Sequence, residues 1–120
     1  MPKDIKSNFM TTIKFSVQGS SVEPYEVTFH FDGNNCHALC TCQAGKNGQL
    51  CKHRENVLKG STSGIVSNNH VEVNQIKQLF KGTLLESKFT QFAEEESQLE
   101  MLKKKIATTK KELTRIMNGK

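Results

Sequence analysis

CHALCTCQAGKNGQLCKHRENVLKG, residues 36–60, holds all four cysteines of the chain, and its reading decides the fold. Cys40 and Cys42 close a short extended run expected over residues 36–41. Residues two apart on a strand point to one face, so both sulfurs can meet a single ion. Gly45 and Gly48 let the following loop turn back. Cys51 and His53 then return from the other side, at the start of a short helix that Gly60 stops. Thiolate and imidazole are the ligands zinc prefers, and four of them close a tetrahedral structural site. Cys36 shares the strand face of Cys40 but lies about 13 Å along it. Cys36 and His37 are therefore read as structural or surface residues, as are His30 and His70, which lack partners.

Upstream, Ile13, Phe15 and Val17 alternate with polar residues, and so do Tyr25, Val27, Phe29 and Phe31. That is the period of half-buried strands. A Gly/Ser-rich link at 18–24 and a turn signal at Asp32, Gly33, Asn34 and Asn35 predict an antiparallel meander of three strands.

Downstream, residues 61–70 are small and polar and are expected as a flexible linker. Asn69 with Glu72, and Thr83 with Glu86, fit the capping-box spacing that opens a helix. The first helix is expected over 71–81, with Val73, Ile76, Leu79 and Phe80 on one side. The second is expected over 84–117, with Asn118 and Gly119 as its end. Leu85, Phe92, Leu99, Ile106 and Leu113 recur along it every seventh residue, joined by Leu102 and Ile116. This is a coiled-coil-like stripe. Lys88, Glu95 and Thr109 weaken it at the companion positions. The fold class expected is α+β: a small antiparallel β-meander with a zinc-bound loop and short helix, then a helical hairpin ending in a long helix. The domains follow as 1–60, a linker 61–70 and a helical tail 71–120.

With 120 residues and 35% of them apolar, the chain can bury only a modest core, and an extra staple would help it. The start, MPKDIKSNFM, is charged early and has no apolar run long enough for a signal peptide. No stretch approaches a membrane span. A reducing compartment, cytoplasmic or nuclear, is therefore expected, and it favours metal over disulfides.

The CxC(x8)CxH spacing, with strands before it and a short helix after His53, resembles a SWIM zinc finger over residues 25–59. The resemblance implies zinc binding by Cys40, Cys42, Cys51 and His53 and a role in DNA or protein interaction. Related fingers occur in bacterial proteins, Swi/Snf-class ATPases and Mutator-like transposases, usually appended to larger chains.

The net charge of +5 permits contact with nucleic acid. Lys46, Lys52, Arg54 and Lys59 around the finger are the candidate phosphate contacts. The chain has no Trp and one Tyr, and its Phe residues fall at core-like positions, so base stacking has little to work with. The alternative is a protein adaptor or dimerisation protein acting through the long helix. Residues 84–100 carry five Glu and one Lys, and residues 101–120 carry seven Lys or Arg and one Glu. Two copies would accordingly pair antiparallel. Catalysis is not expected: four protein ligands close the metal, and Glu55 is the only carboxylate near it.

Overall fold

The structure, a computed structural model, describes residues 10–120. The first nine residues of the expected 1–60 domain, with most of the charged start, lie outside the described residues. Three strands come first, β1 (Thr11–Val17), β2 (Tyr25–Asp32) and β3 (Asn35–Cys40). They form one antiparallel sheet in the order β1-β2-β3. The expected meander is present, with β3 running one residue earlier than read from the sequence.

Register follows the hydrophobic alternation. Ile13 pairs with Phe29 and Phe15 with Val27, while on the other side Phe29 pairs with Ala38 and Val27 with Cys40. One face thus gathers Ile13, Phe15, Val17, Val27, Phe29 and Phe31, each at most 5% exposed. The Phe15 and Phe29 rings meet edge to face, with centroids 6.3 Å apart. A one-residue slip would turn this whole set to solvent, so register and core specify each other.

Four helices follow: α1 (Gln43–Lys46), α2 (Lys52–Leu58), α3 (Val73–Phe80) and α4 (Leu84–Met117). Val57 of α2 and Val73 and Ile76 of α3 join the core cluster of the sheet face. At the end of α2, Gly60 has φ of +91°. There the Gly60 N–H donates to Val57 O and the Ser61 N–H to Asn56 O, the two bonds of a Schellman motif. The expected stop at Gly60 is met by this geometry.

The segment expected as a linker is hydrogen-bonded to the sheet. Ile65 bridges Val17 on the outer edge of β1. The Gln18 N–H donates to Gly64 O and the Val66 N–H to Ser16 O, both at 2.8 Å. Ser67 Oγ accepts from the Ser16 N–H at 3.0 Å, and Asn69 Nδ2 donates to Lys14 O at 2.7 Å. Asn69 Oδ1, the atom that would cap, instead accepts from Ser67 Oγ at 2.7 Å, and no side-chain cap forms. A 3-10 turn spans His70–Glu72, and α3 begins at Val73 rather than 71.

The second capping box is largely as expected. Thr83 Oγ1 accepts from the Glu86 N–H at 3.1 Å and donates to Phe80 O at 2.7 Å. Glu86 reaches back one residue further than the usual pattern, to the Gly82 N–H at 2.8 Å.

The chain divides into two compact units, one ending at Glu86 and the other Ser87–Lys120. The second unit is helix α4 from Ser87 onward and the turn that ends it. The helix has 34 residues and none of them is buried. No helix of the described residues is long and apolar enough to cross a membrane.

Candidate metal centre

The two cysteines of the CxC pair are held by the strand that carries them. Beyond the end of β3, the Thr41 N–H donates to Glu26 O at 3.1 Å and Thr41 Oγ1 accepts from the Glu26 N–H at 2.9 Å. These two bonds keep the backbone at Thr41 tied to β2. Cys40 and Cys42, on either side of it, are both buried while Thr41 is exposed. The alternation of a strand thus aims both sulfurs to one side.

The loop that follows is a helical turn, which the Gly-rich reading did not foresee. Cys42 is the N-cap of α1, and its Sγ accepts from the Gly45 N–H at 3.3 Å. A Cβ on Gly45 would stand 2.2 Å from Cys40 O. Gly45 is therefore required by close approach: the turn folds directly against the strand end. Cys51 is the N-cap of α2, and His53 stands in the first turn of that helix.

The strand end and the helix start bring one ligand atom from each of Cys40, Cys42, Cys51 and His53 within 4.8 Å of one another. Cys40 Sγ and His53 Nδ1 are 3.7 Å apart. A zinc tetrahedron with Zn–S near 2.3 Å and Zn–N near 2.0 Å has edges of about 3.5–3.8 Å. The Cys40–His53 separation matches such an edge, and with all four ligand atoms within 4.8 Å the cluster could hold a metal ion. The three cysteines are buried and His53 is half-buried. The Tyr25 ring lies 4.9 Å from the imidazole, centroid to centroid, and covers it. Cys36, His37, His30 and His70 are not among the gathered ligands.

Two thiols of the cluster are driven in opposite directions. Burial pushes Cys40 up to about 12. At Cys51 burial acts the same way, but hydrogen bonds from the Arg54 backbone and guanidinium and from Cys42, with the Arg54 charge, hold the thiol below its ordinary range.

Of the residues read as phosphate contacts, Lys46, Lys52 and Lys59 are exposed. Lys59 lies 3.8 Å from Glu55. Arg54 is turned inward. Its Nε donates to Cys51 Sγ at 3.2 Å, one terminal nitrogen donates to Ala38 O at 3.1 Å, and the other donates to Gln49 O. The guanidinium is thus bonded through all three nitrogens to Cys51, to β3 and to the loop before α2. Its place is behind Cys51, a position that no signal in the sequence separates from that of the neighbouring surface lysines. The strand period that places Tyr25 on β2 carries no signal of its contact with His53.

Among family models, curated proteins and solved structures, none matches the chain. What identifies the centre is the ligand set itself.

Proposed function

We propose that Cys40, Cys42, Cys51 and His53 hold one structural zinc ion, and that the chain is a SWIM-type finger working as an interaction module for DNA or protein rather than as an enzyme. The observation that carries this reading is the gathering of three thiols and one imidazole within 4.8 Å by two separate segments. Three sulfurs and one nitrogen favour zinc over harder ions such as calcium or magnesium. A metal with four protein ligands has no open position for substrate or water, which supports a structural role. The ion would tie the end of β3 to the start of α2, in a region whose buried core residues are few.

Metal analysis of protein purified without added zinc tests the proposal. One zinc per chain is expected, with loss of structure over residues 36–59 on chelation, because ligand gathering and folding are linked. A stoichiometry near zero together with unchanged spectra after chelator treatment would sink it. For the partner, exposed Lys46, Lys52 and Lys59 support a nucleic-acid surface, and binding to arbitrary duplex DNA that weakens steeply with salt is its signature. A protein partner is supported by helix α4, where Leu99, Leu102, Ile106, Leu113 and Ile116 are each more than half exposed.

A further inference from the structure

We propose that α4 is the pairing surface for a second copy of this chain, joined antiparallel over the full helix and centred between Glu100 and Met101. The helix is about 50 Å long at 1.5 Å per residue. Its apolar side chains keep a seven-residue repeat, and from Leu99 to Ile116 every one of them is 52% exposed or more. A stripe of that period is the seam of a two-stranded coiled coil, in which positions a and d face the partner helix and positions e and g flank it. Leu99, Ile106 and Leu113 occupy a, with Leu102 and Ile116 at d.

The charges choose the orientation. A parallel, in-register pair sets each d residue against its own copy, so Glu95 meets Glu95 and Lys88 meets Lys88 inside the seam. It also places Lys105, at g, beside Lys110, at e. Each of these is a like-charge contact. An antiparallel pair sets a against d of the partner. Leu99 then meets Leu102 of the other copy twice about the two-fold axis, Glu95 faces Ile106, and Lys88 faces Leu113. The flanking contacts become e with e and g with g, and Glu96 falls beside Lys103 of the other copy, again twice.

The charges also choose the register. Sliding the antiparallel pair by one heptad toward the C-termini would set Lys103 against Lys103 and Lys105 against Lys105. Only the full overlap lays the Glu94, Glu95 and Glu96 cluster along the Lys103, Lys104 and Lys105 cluster. An isologous contact of this kind is self-complementary, as two-fold symmetry requires.

Sedimentation equilibrium of the full chain at tens of micromolar decides the matter. The expected mass is twice 13.5 kDa. Leu99→Asp, which places a charge in both central layers, is expected to return it to 13.5 kDa with zinc content unchanged. Glu96→Lys alone and Lys103→Glu alone are each expected to weaken the dimer by about tenfold, since each turns two attractive contacts into repulsive ones. The double variant restores opposite charges across the seam and is expected to recover the affinity. A chain that stays at 13.5 kDa throughout, whether or not it binds duplex DNA through its lysines, overturns the proposal. A dimer that Leu99→Asp leaves intact overturns it too. So does a double variant no better than the single ones, because residues 96 and 103 face each other only in this orientation and register.

Discussion

Arg54 directs every guanidinium nitrogen to the metal centre and the strand beside it, and this makes it the most informative single residue to change. With zinc bound, its bond to Cys51 Sγ would orient that ligand and offset its negative charge, as partners behind metal ligands do. Arg54→Ala is expected to lower zinc affinity by about 10- to 100-fold, read by competition with a chromophoric chelator. Arg54→Lys should not rescue it, because an ammonium cannot reach Cys51, Ala38 and Gln49 in one fork. Gly45→Ala is expected to cost more than either, since its Cβ would collide with backbone rather than with a movable side chain.

Cys36 tests the limits of the ligand set. Burial lifts its thiol from an ordinary 9.0 to about 11. The unfolded chain loses this proton near pH 9, whereas the folded chain keeps it until about pH 11. The stabilising contribution is therefore whole below pH 9 and disappears as pH rises through 11. Cys36→Ala is expected to flatten the fall in stability between those values, measured as the difference in urea midpoints from the unsubstituted chain. Zinc content should remain at one per chain.

At the scale of elements, the sheet carries most of the apolar burial. Phe29 is fully buried at the centre of the sheet, between β1 and β3. Phe29→Ala is expected to destabilise the chain by about 3–5 kcal/mol in urea unfolding. Thr83→Ala removes a buried cap that both donates and accepts at the start of α4, and is expected to cost about 1 kcal/mol. The strands and α4 were legible in the sequence because their periods, two and seven, run long enough to stand out from noise. The ligand set was legible because residue type and spacing both restrict it. Three features were not. The turn of α1 depends on Cys42 Sγ capping and on Gly45 touching Cys40 O, contacts made only once the strand is in place. Asn69 matches a capping box in sequence, but its Oδ1 accepts from Ser67 Oγ and its Nδ2 is held by Lys14 O, 55 residues away. The 61–70 segment has a linker's composition, yet Gly64 and Val66 pair with β1 through backbone groups that side-chain chemistry does not report.

At the scale of the whole chain, the two units differ in what holds them. The first has a sheet, a core and the candidate metal centre; the second, Ser87–Lys120, is helix without buried residues. Chelation should therefore act on one and spare the other. Hydrogen exchange after metal removal is expected to show lost protection over residues 36–59, with α4 amides unchanged. Equal loss in α4 would mean that the ion supports the helix as well.

The backbone pairing of Gly64 and Val66 with β1 has one more consequence, for aggregation. A three-stranded sheet has two edges, and an unpaired row of N–H and C=O groups on either is a template for strand addition by another molecule. On the β1 side the 64–67 segment already takes up part of that row. On the β3 side the Arg54 guanidinium bonds to Ala38 O, and Arg54 belongs to the helix that the metal would anchor. The first edge is guarded by the chain alone and the second only while the metal centre is assembled. Metal-depleted protein should accordingly form β-rich aggregates that grow from β3, and a proline at an edge position of that strand should suppress them without changing the zinc-loaded protein's solubility.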